Sequence, residues 1–213
     1  MAYGKTKCSL HGKDKSMENI TDIENKSTSV SIYHLDGNLL LRTADIADAD
    51  MIAEYFRQNR EHLKPFEPKR EEAFYTVNGW LQKLIKLNDL HRLGLGFYCL
   101  IIDANTKKMQ GTLSFSNMTR FPFYCCNVGY SLAESAQGKG LMRRALKMGC
   151  DYMFREQKLH RIQASYMPHN YKSEAVLNHL GFEREGYAKD YLLINDKWED
   201  HVLTSLTNPE WQR

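Results

Sequence analysis

The stretch Gln137-Gly138-Lys139-Gly140-Leu141-Met142 decides the fold of this chain. An apolar pattern before it predicts a strand over 127–132, and an amphipathic pattern after it predicts a helix over 141–154. Glycine in the connecting turn lets the backbone approach a ligand closely. The first N–H groups of a helix lack partners within the helix, so a turn of this kind is suited to bind an anion.

The loop fits neither of the two commonest phosphate-binding motifs. A P-loop requires GxxxxGK[ST], but Ala133 stands at the first glycine position and Gly140 follows the Gly-Lys pair. A dinucleotide fingerprint requires GxGxxG, but Arg143 occupies the third glycine position. Lys139 and Arg143 add positive charge near the turn. On the loop alone, an anion site and an ordinary strand-to-helix turn both stay open.

Composition excludes several classes of protein. The 213 residues include 29 basic and 26 acidic ones, and the net charge of +3 does not demand a nucleic-acid partner. No apolar run approaches the ~18 residues of a membrane span, and the polar start shows no signal peptide. Five cysteines without a CxxC pair indicate free thiols in a reducing compartment. We expect a cytoplasmic monomer or dimer without a metal, a membrane or a sequence-specific nucleic-acid partner.

The chain divides into a polar start and one domain. Residues 1–36 are rich in Lys, Ser, Thr, Asn and Asp, which predicts a disordered leader, and Met17 is an alternative start. Ordered structure is expected from Leu39 onward, within a single domain over 37–213. The order βααβββαβαββ predicts one mixed α/β domain. The predicted helices cover 43–60, 71–93, 141–154 and 170–180, and the predicted strands cover 39–42, 97–102, 109–118, 125–132, 161–167, 187–194 and 198–204.

A second stretch, Met167-Pro168-His169-Asn170-Tyr171-Lys172-Ser173, introduces the last helix. Asn170 is a suitable N-cap, and Gly181 is a suitable residue just after the helix, with Phe182 packing back. A QGxG turn before a helix, then a strand, an NxxS segment and a helix ending in Leu-Gly-Phe resemble the GNAT acetyltransferases.

The resemblance is more detailed to the RimJ/RimL-type protein N-terminal acetyltransferases. It is strongest to the RimJ branch, which acetylates the N-terminal alanine of a small-subunit ribosomal protein. It covers the chain from about Leu39 to the C-terminus. The segments that carry it are 137–142, 166–170, 185–194, 198–206 and, upstream, 59–68.

This resemblance implies a GNAT fold, which is a twisted, mixed and mostly antiparallel sheet with helices on both faces. The two central parallel strands, here 125–132 and 161–167, splay apart. Acetyl-CoA is the implied cofactor, with its pantetheine arm in the gap and its diphosphate on the glycine loop. Met142 departs from the family pattern, which usually has Gly or Ala there. The implied cofactor-binding residues are Val128, Tyr130, Leu132, Gln137, Gly138, Lys139, Gly140, Leu141, Met142, Asn170 and Ser173.

The implied reaction is direct attack of an amine on the thioester. An α-amino group has a pKa of ~8, so a strong base is not needed. The backbone N–H of Tyr130 would stabilise the oxyanion, and by resemblance Ser173 would protonate or hydrogen-bond the leaving thiolate. The strand glutamate of RimL-like relatives is replaced by Asn127. The substitutes stay unranked: Glu61, Glu67 and Tyr191. An acyl-enzyme on Cys125 or Cys126 has no evident histidine partner.

The implied acceptor is the N-terminus of a ribosomal protein, free or on a pre-ribosomal particle. Its groove would be lined by the loop 65–68, the helix near Trp80, and the hairpin near Tyr187 and Tyr191. Two alternatives stay open. The acceptor could instead be a small amine or amino acid, or the protein could be a ribosome-assembly factor in which binding outweighs catalysis.

Overall fold

The computed structural model describes residues 31–212, which form eight strands and five α-helices joined by short 3-10 turns. The strands are β1 (Tyr33–Asp36), β2 (Leu39–Thr43), β3 (Phe97–Asp103), β4 (Met109–Thr119), β5 (Cys125–Leu132), β6 (Arg161–Tyr166), β7 (Glu183–Ile194) and β8 (Lys197–Thr207). The helices are α1 (Ala49–Gln58), α2 (Arg60–Leu63), α3 (Val77–Arg92), α4 (Leu141–Arg155) and α5 (Tyr171–His179).

All eight strands belong to one sheet, in the order β1-β2-β3-β4-β5-β6-β8-β7. Every neighbouring pair is antiparallel except β5 and β6, which are parallel and joined by the crossover helix α4. The prediction of a mixed, mostly antiparallel sheet with a central parallel pair is confirmed.

Helices cover both faces of the sheet, and β3 shows this most clearly. Its residues are apolar without alternation because neighbouring side chains pack into two different cores. Phe97, Cys99 and Ile101 belong to the core on the face covered by α4 and α5, here called the α4 face. Leu100 and Ile102 belong to the core on the opposite side, here called the α1/α3 face.

The parallel strands separate early. Strand β5 pairs with β4 from Cys125 to Leu132, but it pairs with β6 only from Cys125↔Arg161 to Asn127↔Gln163. Beyond that point β6 continues beside β8. A gap therefore opens between β5 after Asn127 and β6 after Gln163, and the predicted splay is confirmed.

Regular secondary structure is already present before Leu39, the residue at which the sequence predicted that ordered structure begins. Strand β1 pairs antiparallel with β2 and lies inside the segment predicted as a leader, so the expected start at Leu39 was wrong. The Arg144 side chain of α4 donates to the Asp36 carboxylate at 2.6 Å, a partner 108 residues away that local composition could not reveal. Residues 1–30 of the predicted leader lie outside the described residues.

Two predicted helices begin later than expected because polar side chains cap short turns before them. A 3-10 turn precedes α1, and Asp45 Oδ1 accepts the Ala47 N–H there at 3.0 Å. Another 3-10 turn precedes α3, whose first turn is capped by Thr76 Oγ1 accepting the Gly79 N–H at 3.0 Å. The α-helices consequently start at Ala49 and Val77.

The boundaries of α5 follow the sequence signals. Asn170 Oδ1 accepts the Ser173 N–H at 3.2 Å. Gly181 has φ +82°, and the Phe182 N–H bonds Leu177 O at 3.1 Å, which closes the helix C-terminus. These caps fix the start of α5 beside the gap, and they fix the entry of the chain into β7.

Neither a membrane-spanning helix nor a disulfide occurs among residues 31–212. No helix there combines the length and apolar character needed to cross a bilayer. The four cysteines of this part of the chain are free and buried, and they are Cys99, Cys125, Cys126 and Cys150.

Helix α4 lies so close to β4 that only glycine fits at position 149. A Cβ on Gly149 would stand 2.6 Å from Leu113 Cδ2 and 2.9 Å from the Phe115 ring. We expect Gly149→Val to lower the free energy of unfolding by about 2 kcal/mol or more, because the added methyl groups overpack this contact. Urea unfolding measures it.

Gly186→Val is the matched control, because a Cβ there meets nothing closer than Leu203 Cδ1 at 4.0 Å. It should leave the unfolding free energy within about 0.5 kcal/mol of the parent. Equal stability of the Gly149→Val variant and the parent would contradict the close approach of α4 to β4.

Candidate functional site

One backbone edge of β5 faces the gap without a neighbouring strand. The Ala133 N–H donates to Gln110 O of the β4 side at 2.8 Å. Backbone groups alternate between the two edges of a strand in an antiparallel pair, so residues 127, 129 and 131 face β4. The N–H and C=O groups of Val128, Tyr130 and Leu132 therefore point into the gap.

The glycine loop follows this edge directly. Gly138 and Gly140 have φ of +73° and +70°, a conformation that favours glycine. A Cβ built on either one would meet no heavy atom within 4 Å, so the space above the loop is open. Helix α4 begins at Leu141, and its first N–H groups have no partner within the helix. The loop thus presents backbone donors to an open space.

The loop side chains are directed elsewhere. Met142 is buried in the core, as its size requires. Lys139 Nζ donates to Ser135 O at 2.8 Å, and Arg143 Nη1 lies 3.0 Å from His179 Nε2. Because both cations contact neighbouring protein groups, the donors that this loop presents to the open space are mainly backbone N–H groups.

Gln137 connects the two sides of the gap. Its Oε1 accepts from Lys172 Nζ of α5 at 2.6 Å, and its Nε2 lies 3.0 Å from His62 Nε2 of α2. This glutamine therefore ties the entrance of the glycine loop to a helix on each wall.

Tyr130 and Ser173 meet across the gap. The Tyr130 hydroxyl lies 2.7 Å from Ser173 Oγ, and Asn170 caps the turn that carries Ser173. Burial raises the pKa of Tyr130 to about 12, while the hydrogen bond with Ser173 opposes this rise. The phenol is therefore neutral at physiological pH. Three residues predicted for the site thus come together on opposite walls.

The candidate bases differ sharply in environment. Asn127 is exposed, as is Glu61, which lies 3.9 Å from Lys64. Tyr191 is exposed on β7, with its ring centroid 5.6 Å from that of His201. Trp80, predicted beside the acceptor groove, is instead buried in the core of the α1/α3 face.

Glu67 is the exception among these candidates. Its side chain is 20% exposed and lies 3.5 Å from Arg70. Burial raises the pKa of Glu67, and the charge and hydrogen bond of Arg70 act against that rise. It is the one carboxylate of the predicted set that the protein shields from water.

The two adjacent cysteines are poor nucleophiles. Burial raises the pKa of both the Cys125 and the Cys126 thiols, which disfavours the reactive thiolate. In residues 31–212, no three His, Cys, Asp or Glu side chains cluster as they would around a metal ion.

A chain of hydroxyl groups on the α1/α3 face of β5 was missed in the sequence. The Tyr55 hydroxyl lies 2.9 Å from Ser131 Oγ, which lies 2.9 Å from Thr112 Oγ1. Ser131 in an otherwise apolar strand was the available signal.

The loop before α3 contacts the β7–β8 turn, because Lys69 pairs with Asp196.

Known proteins support the resemblance seen in the sequence. Residues 38–183 match the family model described as an acetyltransferase (GNAT) domain. The chain is 47% identical to the [ribosomal protein uS5]-alanine N-acetyltransferase of Escherichia coli over 173 residues, covering 81% of this chain and 89% of the relative. The resemblance to RimJ/RimL-type enzymes is confirmed.

Two solved structures are similar throughout the fold. The ribosomal-protein-S5-alanine acetyltransferase from Vibrio fischeri is 50% identical, with a TM-score of 0.84 covering 85% of this chain and all of that one. Mycobacterium smegmatis RimJ in complex with CoA-disulfide is 31% identical, with a TM-score of 0.76 covering 82% and 84% of the two chains.

The contact between Tyr130 and Ser173 predicts energetic coupling across the gap. Tyr130→Phe and Ser173→Ala should each lower the unfolding free energy by about 1 kcal/mol. The double variant should lose little more than one single variant, giving a coupling energy of about 1 kcal/mol in urea unfolding.

Tyr187 provides the control, because its hydroxyl donates to Asp200 at 2.6 Å and not to Ser173. The effects of Tyr187→Phe and Ser173→Ala should add. Additivity of the Tyr130 and Ser173 variants as well would argue against the bridge.

Proposed function

The chain belongs to the GNAT acetyltransferase family, and we propose that it acetylates the N-terminal α-amino group of a ribosomal protein that begins with alanine. The enzyme is an acetyltransferase. The unpaired edge of β5, ending in the glycine loop, carries the assignment of the cofactor. The acceptor is proposed from the relatives at 47% and 50% identity, both of which are named as ribosomal-protein alanine acetyltransferases.

Acetyl-CoA is the proposed acetyl donor, and the gap suits it chemically. Its pantetheine arm carries amide groups, which pair with the backbone of Val128, Tyr130 and Leu132. Its diphosphate lies above the glycine loop, where the missing Cβ atoms leave space and the N–H groups donate. Asn170 and Ser173 face the arm from α5. The diphosphate contacts come from Gln137, Gly138, Lys139, Gly140, Leu141 and Met142.

The proposed reaction needs few side chains. The acceptor nitrogen forms a bond to the thioester carbon, and the carbon–sulfur bond then breaks. The Tyr130 N–H, which points into the gap, donates to the oxyanion of the tetrahedral intermediate. Ser173 Oγ accepts from the neutral Tyr130 phenol and donates its own hydrogen to the leaving sulfur.

The proposed acceptor approaches from the α1/α3 face. There the Lys69–Asp196 pair joins the loop before α3 to the β7–β8 turn, so an extended chain end passes beneath it to reach the gap. We place the reaction in the cytoplasm, on a free ribosomal protein or a pre-ribosomal particle.

The acceptor is tested by mass spectrometry of intact ribosomal proteins. In cells that lack the gene product, a small-subunit protein that begins with alanine should be lighter by about 42 Da, the mass of one N-terminal acetyl group. Expression of the enzyme should restore it. Purified enzyme should acetylate a peptide of that N-terminus.

A peptide of the same sequence with a blocked N-terminus is the control, and it should not react. Unchanged termini in cells together with co-sedimentation on pre-ribosomal particles would instead favour an assembly factor. Release of CoA with small amines alone would favour the alternative acceptor.

The glycine loop is tested with Gly138→Glu. The added carboxylate would lie beside the diphosphate, so acetyl-CoA affinity measured by calorimetry should fall by at least about 100-fold. Gly94→Glu is the matched control, since Gly94 has a similar φ of +66° but lies in the turn after α3. The affinity of the Gly94→Glu variant for acetyl-CoA should equal that of the parent. Retained affinity in the Gly138→Glu variant would refute this phosphate site.

A further inference from the structure

We propose that Glu67 is the general base that takes the proton from the acceptor amine. This inference rests on the proposed function for its substrate, an amine attacking a thioester. It adds a residue that neither the glycine loop nor the α5 wall provides, and it fills the role left open by Asn127.

Glu67 lies on the α1/α3 face, beside the strands that border the gap. Arg70, whose Nε lies 3.5 Å from the Glu67 carboxylate, stands 4.5 Å over the Phe74 ring. Phe74 packs against Trp80, and Trp80 packs against Tyr98 of β3. Glu67 therefore lies on the same face of the sheet as Tyr98.

A row of residues runs from β3 to the edge of the gap on the α1/α3 face. Tyr98, Ser114 and Gly129 pair in register across β3, β4 and β5, so they form one row on the α1/α3 face. Gly129 is exposed and has no side chain. An amine entering from this face passes over Gly129, with Glu67 beside the same row.

The charges around Glu67 suit a base that is ionised yet basic. Arg70 Nε lies 3.5 Å from the Glu67 carboxylate. Lys83, whose Nζ stands 4.5 Å from the centre of the Trp80 ring, is a second cation that acts on Glu67. These cations favour the carboxylate, whereas its burial raises its proton affinity above that of an exposed glutamate. Burial and Arg70 lower the pKa of Lys83 to about 8, so its charge weakens as pH rises.

Other titratable groups near the groove are less suited to this role. Glu61 is exposed to solvent and lies close to Lys64. His201 is buried on β8 at the opposite wall, with Nδ1 bonded to the Glu199 carbonyl at 2.9 Å. His201 is the rival that the experiment must distinguish.

The proton balance is simple. The α-ammonium group gives one proton to Glu67 directly or through one water, and the neutral amine then attacks the thioester carbon. The carbon–nitrogen bond forms and the carbon–sulfur bond breaks, while the second proton of the nitrogen passes through water to Ser173, which protonates the leaving sulfur. Glu67 then returns its proton to solvent when the acetylated product departs.

The test is Glu67→Gln, assayed by thiol release with an N-terminal alanine peptide from pH 6 to pH 9. At pH 7 kcat should fall about tenfold, because only about a tenth of an amine of pKa ~8 is neutral without the base. At pH 9 the loss should nearly disappear, since about nine-tenths of the amine is then neutral. Glu67→Asp should recover part of the rate.

Controls separate chemistry from folding and binding. Acetyl-CoA affinity and the unfolding midpoint of the Glu67→Gln variant should match those of the parent, and Glu61→Gln should keep the parent pH profile. A pH-independent loss, or a rate within about threefold of the parent at pH 7, would overturn the proposal. The same pH-dependent loss in His201→Asn but not in Glu67→Gln would place the base on the opposite wall.

The proposed acceptor and the proposed base can be refuted separately. If the parent rejects ribosomal peptides but accepts another amine, the proposed acceptor is wrong. Glu67 is then judged on the accepted amine by the same pH comparison, which applies to any amine nucleophile.

Discussion

Pairing between β5 and β6 stops after three residue pairs, and the site depends on this interruption. A buried backbone N–H or C=O without a partner is costly, so a central strand normally uses both of its edges. Here Val128, Tyr130 and Leu132 present one edge to a gap that the next strand has left. The contact between Tyr130 and Ser173 crosses the gap through the tyrosine side chain and uses no backbone group of β5. A ligand with amides of its own can therefore complete the sheet between the two strands.

In the proposed diphosphate site, the glycine loop would bind the anion with little help from charged side chains. Lys139 and Arg143 both contact other protein groups, and Met142 is packed in the core. The donors that remain free are backbone N–H groups, whose positions are fixed by the left-handed glycines and by the start of α4. Fixed donors lose little conformational entropy on binding, whereas a long cationic side chain must be immobilised. Gln137 adds rigidity by tying the loop to α2 and α5.

Neighbouring residues in the sequence were sufficient to predict the turns and the helix ends. The turn between β5 and α4, the Asn170 cap and the Gly181 helix end are each set by neighbouring residues, and these structural predictions were confirmed. Strand β1 was missed because its contact with α4 joins Asp36 to Arg144 across the sequence. The sequence also could not rank Glu67 above the other candidate bases, because its burial depends on the fold and not on its neighbours in the chain.

The order of the strands also bears on how the protein is made. Strands β1 to β5 each pair with the strand next to them in sequence, so this half of the sheet can assemble while the rest of the chain is still being synthesised. The C-terminal strands β6, β8 and β7 form their own neighbouring set, and three residue pairs of β5 and β6 connect the two halves of the sheet by strand pairing. The gap thus lies between the part of the sheet that is synthesised first and the part that is synthesised last. The last stage of folding and the formation of the proposed active site would then be the same event.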